Sequence, residues 1–159
     1  TGELADVGYR PDRATPGVPS PSYQDDRLRG LWQTLPAGSL RVVTCATNTR
    51  QAGREAAARV LDAADRPTAL VALSDVVALG VLDAARVGGL TPGQEVSVAG
   101  FDDIPDAAYT GLTTVRQPIR EKGRLAGLLA MDPDYHQRQI TLPIDLVVRS
   151  STGPVTPSA

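Results

Sequence analysis

The chain is poor in the side chains that most enzymes use for chemistry. Its 159 residues hold one cysteine, one histidine, one methionine, one tryptophan and one phenylalanine, and aromatics make up 4%. A single Cys45, set in the apolar run Arg41–Ala46, gives no intrachain disulfide and no cysteine metal cluster, and reads as a small buried hydrophobe. His136 stands in a polar stretch without a motif around it, so a Ser-His-Asp or Cys-His arrangement has few candidates and a solvent-exposed histidine is the expectation. No Cys/His metal spacing occurs, and no phosphate-binding Gly-x-x-x-x-Gly-Lys or Gly-x-Gly-x-x-Gly follows a strand. No apolar run approaches the roughly 20 residues that span a bilayer. The first residues contain no apolar signal core, which makes a cytoplasmic chain the expectation. No basic block stands out and the net charge is −2, which argues against non-specific nucleic-acid binding by these residues. The expectation is therefore a non-enzyme without metal or cofactor.

What the chain does have is α/β alternation, concentrated between Arg66 and Asp103. Thr68 to Leu73 is an apolar run of strand length. Ser74-Asp75 offers helix-capping side chains, Val76 to Val87 reads as a helix, and Gly88-Gly89 ends it. Val96 to Ala99 is a second short strand, followed by Gly100-Phe101-Asp102-Asp103. Two strands joined through a helix lie parallel, and ligands of open parallel sheets sit beyond the strands' carboxyl ends. Ser74 and Asp102 occupy those ends. Asp102 has two uses open to it: closing the turn before Pro105, or accepting two hydroxyl donors of a polyol. Adjacent residues of an extended segment point to opposite sides, so Asp102 and Asp103 do not share one ion.

Elsewhere the pattern predicts helices over Asp25 to Leu35, Asn48 to Ala64, Asp106 to Tyr109 and Pro118 to Ala130. It predicts strands over Leu40 to Cys45, Gly111 to Gln117 and Ile140 to Val148. Residues 1–24 are irregular, broken by Pro11, Pro16, Pro19 and Pro21, and residues 150–159 read as a disordered tail. The Val76–Val87 helix is apolar nearly all round, so more than one side must be covered. A second copy of the chain, meeting Val76, Val77 and Val81, or a neighbouring helix would serve.

The ordered series Pro67-Thr68-Ala69, Ser74-Asp75-x-x-Ala78-Leu79-Gly80, Glu95-Val96-Ser97-Val98-x-Gly100-Phe101-Asp102-Asp103, Leu112-Thr113-Thr114-Val115-x-Gln117-Pro118 and Leu146-Val147-x-Arg149-x-Ser151-Thr152 resembles the effector-binding region of the LacI/GalR family of bacterial transcription regulators. The resemblance covers about Arg27 to Gly153. It implies a periplasmic-binding-protein-like (type I) C-terminal lobe over residues 25–149, a parallel sheet flanked by helices, with the first lobe and the DNA-binding domain absent. It also implies a small-molecule effector, a sugar or small polar metabolite bound between two lobes, a homodimer, and operator DNA bound only through a helix-turn-helix domain outside these residues. A periplasmic-type sugar-binding protein of a transport system is the alternative. Carried over by motif, the effector-binding residues are Arg27, Asn48, Ser74 and Asp102, with Asn48 where several members place a stacking aromatic. Asp75 is expected to cap its helix. The all-round apolar helix becomes the expected dimer face, and the helix over residues 118–130, which in the family packs on the first lobe, is expected to lack its usual partner.

Overall fold

The computed structural model describes residues 23–131 and 140–154. His136, the irregular segment up to residue 22 and residues 155–159 lie outside the described residues. Two compact units meet in the chain between Thr44 and Cys45. The first contains helix α1 (Tyr23–Thr34), whose Leu28, Leu31 and Trp32 are half-buried. The helix closes with Leu35 N–H on the Leu31 carbonyl, at 3.0 Å, immediately before Pro36, which cannot extend it. The strand expected over Leu40 to Cys45 is not formed: the segment enters no ladder among the described residues. Apolar composition alone makes no strand, because each strand needs a neighbour for its backbone groups.

The second unit is built on a four-stranded sheet in the order β1 (Ala69–Val71), β2 (Ser97–Asp102), β3 (Thr113–Arg116), β4 (Asp145–Val147). The first two pairings are parallel and the last is antiparallel, so the sheet is mostly rather than wholly parallel. Helices α2 (Arg50–Leu61), α3 (Asp75–Val87), α4 (Pro105–Thr110) and α5 (Ile119–Met131) complete it. The opening strand–helix–strand unit is β1–α3–β2, as its residue pattern predicts.

Most of the apolar circumference of α3 is covered from within the chain, although Val87 at its last turn is exposed. Ala78, Leu79, Val81, Leu82 and Ala84 share one core with Val98 and Leu112 beneath them and Ala57 of α2 above. Leu82 and Ala78 are wholly buried and Val81 is 6% exposed. Of the three residues expected at a dimer face, Val81 is corrected to the core, while Val76 and Val77 are half-buried, Val77 packing against that core. The neighbouring helix supplies the cover because two glycines let it come close. A Cβ on Gly80 would lie 2.0 Å from the Arg50 carbonyl, and one on Gly53 2.4 Å from the Val77 carbonyl. Arg50 and Asp83 pair across the same contact at 2.6 Å. Helix α5, by contrast, carries no buried residue: Leu125 and Leu129 are half-buried, and Ile119 and Leu128 exposed.

The expected tail is also corrected for its described part. Ser151 is 2% exposed and inserts between the starts of β2 and β3. Its backbone N–H reaches the Gly111 carbonyl at 2.9 Å and its carbonyl accepts from Val98 N–H at 2.8 Å. Its hydroxyl donates to the Val98 carbonyl at 2.6 Å and accepts from Thr113 N–H at 2.8 Å. Polar Ser-Ser-Thr-Gly composition suggests disorder, but these groups complete ladder bonds that β2 and β3 leave open.

Gly80→Ala is expected to lower stability by about 3 kcal/mol, because backbone atoms rather than a side-chain tip must move. Gly127→Ala on α5, with open space around it, should leave stability unchanged or slightly higher. Urea unfolding of the two variants beside the parent chain measures the difference.

Candidate functional site

Three segments converge at the carboxyl ends of β1, β2 and β3. At the first, Ser74 is the N-cap of α3, with extended backbone (φ −155°) and its hydroxyl accepting from Val77 N–H at 3.4 Å. The same hydroxyl donates to Asn48 Oδ1 at 2.6 Å. Asn48 precedes Thr49, which caps α2 by accepting from Ala52 N–H at 3.2 Å. Two sequence-predicted site residues, Asn48 and Ser74, are thus in direct contact, beside two helix N-termini whose backbone donors favour oxygen-rich partners. With its carbonyl held by Ser74, the Asn48 amide has its Nδ2 donors left to offer.

Asp75 does not cap its own helix through its side chain. It is completely buried, and its carboxylate points across the sheet ends. Oδ2 accepts from the Ile104 N–H at 2.9 Å and Oδ1 from the Thr114 hydroxyl at 2.6 Å. Gly100 is required for this: a Cβ there would lie 2.3 Å from Asp75 Oδ1. One carboxylate therefore ties the β1–α3 turn to the turn after β2 and to β3.

At the second strand end, the paired acids take different partners, though not on the extended backbone that the expectation assumed. Asp102 Oδ1 accepts from Gln117 Nε2 at 2.6 Å. Asp103 accepts from Arg116 Nε at 2.6 Å and from an Arg149 terminal nitrogen at 2.7 Å. Both acids have positive φ, 126° at Asp102 and 58° at Asp103. For residues with a Cβ this costs on the order of 1–3 kcal/mol each, and such strain gathers at ligand sites. The cap position of α4 is taken by Ile104, without a side-chain bond. An open, shallow depression beside Asp102 is walled by Asp103, Arg116, Gln117 and the first turn of α5 as far as Glu121.

Burial pushes the Asp103 carboxyl up, but the hydrogen bonds and charges of Arg116 and Arg149 outweigh it and hold the group below the ordinary carboxylate value. Burial raises the Cys45 thiol, with Arg59 opposing in part, so this thiol is less prone to ionise than a free one. Among the described residues no three His, Cys, Asp or Glu side chains gather as metal ligands would.

Of the four residues expected at the site, Asn48 and Ser74 are brought together and Asp102 stands at the neighbouring strand end. Arg27 lies on α1, in the first unit. Sequence reasoning missed Gln117 as a partner of Asp102. The Gln117-Pro118 step at the end of β3 was a usable signal, since a residue closing the third parallel strand must lie at the same sheet edge.

A model of the periplasmic binding protein-like domain matches residues 5–152. The transcriptional regulator Rv3575c of Mycobacterium tuberculosis is 37% identical over 145 residues, covering 85% of this chain and 40% of that protein. A LacI-family regulator from Enterococcus faecium, solved with bound ribose, superposes with a TM-score of 0.65 at 27% identity, covering 83% of this chain and 50% of that one. The lac repressor dimer bound to operator and an anti-inducer superposes at 0.61 with 30% identity, covering 67% and 39%. The chain spans less than half the length of the curated relatives it matches.

Asp75→Ala should cost about 3 kcal/mol, because it leaves a buried N–H and a buried hydroxyl without an acceptor. Thermal or urea unfolding reads the loss, and Thr114→Val, which removes one of the two donors with its partner still bonded, should cost less. For Asp103 the sign follows from its depressed value. Its stabilising contribution is full above the ordinary carboxylate pKa and is lost as pH falls through the lower, folded value. Asp103→Asn should therefore cost about 2 kcal/mol near neutrality. The gap to the parent chain should close in strong acid, as followed by urea unfolding at stepped pH.

Proposed function

The chain belongs to the LacI/GalR family of bacterial transcription regulators, through its periplasmic-binding-protein-like effector domain, and from that premise we propose that its sheet ends recognise a small polyhydroxylated effector. Binding of that effector alters the operator affinity of the regulator whose sensing part this is. The observation that carries the reading is the pairing of donor and acceptor groups at adjacent strand ends. Asp102 with Gln117 offers a carboxylate beside an amide, and Asn48, oriented by Ser74, offers amide donors. A sugar hydroxyl is both donor and acceptor, so it suits such a mixed rim better than a purely anionic or apolar ligand does. The ribose held by the Enterococcus faecium relative supports the same class.

In this reading Asp102 accepts from effector hydroxyls, Asn48 donates to them, and Ser74 contributes by fixing Asn48. Arg27, carried over from the family, is the further polar contact proposed on α1. A regulator of this kind acts in the cytosol, as a homodimer, and reaches DNA through a helix-turn-helix domain outside these residues. The named relatives are transcription regulators, which favours a sensor over an enzyme or a transport receptor.

The test is a titration of the isotope-labelled chain with D-ribose and related aldoses, followed by NMR. Shifts should centre on Ser74, Asp102 and the Gln117 side chain, with weak affinity. Asp102→Asn should weaken binding about tenfold, the equivalent of one good hydrogen bond. Undiminished binding by that variant, or shifts confined to surfaces away from the strand ends, would contradict the assignment.

A further inference from the structure

We infer that Asp103, clamped between Arg116 and Arg149, is the positioning residue that holds Asp102 toward Gln117 and so couples the carboxyl end of β2 to the β3–α5 connection. This rests on the preceding reading only for the claim that Asp102 meets the effector; the clamp itself is a matter of geometry.

Three observations support it. The first is conformational. Two successive acids, neither a glycine, sit at φ 126° and 58°. Such a backbone is uncommon for a residue with a Cβ, and Asp102 adopts it at the last rung of the β2–β3 ladder, opposite Arg116. The second is the set of anchors at the next residue. The Asp103 side chain is 10% exposed and receives Arg116 on one oxygen and Arg149 on the other. The Ile104 N–H that follows is fixed on buried Asp75. The chain on the far side of Asp102 is thus pinned at two consecutive residues. The third is that the pinning groups are themselves held. Arg149 is 17% exposed, donates to the Leu112 carbonyl at 2.7 Å, and its backbone N–H is bonded to the Thr113 hydroxyl at 2.8 Å. A guanidinium in that position is a rigid fork rather than a mobile surface charge.

The geometry has a consequence for transmission. Arg116 and Gln117 are consecutive, the first bonded to Asp103 and the second to Asp102. The two acids therefore grip two adjacent residues of the β3–α5 connection. A displacement of Asp102 is passed to the residue that immediately precedes Pro118 and the first turn of α5. Arg149, arriving from β4, sets the zero position of that grip.

The experiment reads the Gln117 side-chain amide in the full chain by NMR, assigned through Gln117→Ala. In the parent chain this amide pair should be displaced from the position of a free glutamine by its bond to Asp102. In Arg149→Gln, and separately in Asp103→Asn, the pair should lose most of that displacement, while the methyl signals of Leu79 and Leu82 stay in place and report an intact core. Arg149→Lys, which keeps the charge but not the fork, should give a partial loss. An unmoved Gln117 amide in both Arg149→Gln and Asp103→Asn overturns the clamp, whatever the sugar titration shows. If one variant fails to fold, the other decides alone; if both fail, the pair's displacement in Arg149→Lys decides. A collapsed Gln117 signal together with D-ribose binding that ignores Asp102→Asn keeps the clamp and removes the effector role from Asp102.

Discussion

A buried carboxylate organises the functional end of this domain. Asp75 is fully enclosed, yet its two oxygens reach elements far apart in sequence: the turn after β2 through Ile104 and the third strand through Thr114. Desolvating a carboxylate is expensive, and it is tolerable here because both oxygens accept good hydrogen bonds and the group sits at the N-terminus of α3. The glycine at position 100 is the spatial condition for it. Ser74 immediately precedes Asp75, and Asp102 lies two residues before the tied Ile104, so this one tie joins the two strand ends that carry the proposed effector contacts.

The packing behind the tie follows a consistent logic. Helix α3 must be apolar all round because it lies between the sheet and α2, and α2 can lie close because Gly53 and Gly80 present no side chain at the crossing. At the other end of the strands, the returning segment after β4 fills the ladder positions that β2 and β3 leave vacant, through Ser151. Arg149, two residues earlier, then carries that attachment up to Asp103. The end of the chain that looks least structured by composition thereby supports the strand ends that carry the proposed site.

The repeating patterns were legible where they depend on neighbours in sequence. The β1–α3–β2 unit and the helix after Gln117-Pro118 follow from spacing and caps, whereas Asp102 and Asp103 diverge on a backbone with positive φ rather than by strand alternation. The misreadings have a common source. Leu40 to Cys45 has the composition of a strand without a ladder to join. Ser150 to Gly153 has the composition of a tail and yet completes a ladder. Asp75 occupies a capping position while its side chain turns to other partners, and Val81 looks like an interface residue because its cover comes from a helix about thirty positions earlier. In each case the deciding contact is long-range.

The sequence by itself determined the class of fold, the family, and the identity of the groups at the strand ends, because motif order and hydrophobic period are local properties. Tertiary structure decided what each group does there. It made Ser74 the holder of Asn48, Asp75 a tie rather than a cap, Gln117 the partner of Asp102, and Asp103 the centre of an arginine clamp. A hydrogen-bond donor chooses its acceptor by distance and direction in space, and those are set only when strands far apart in the chain lie side by side.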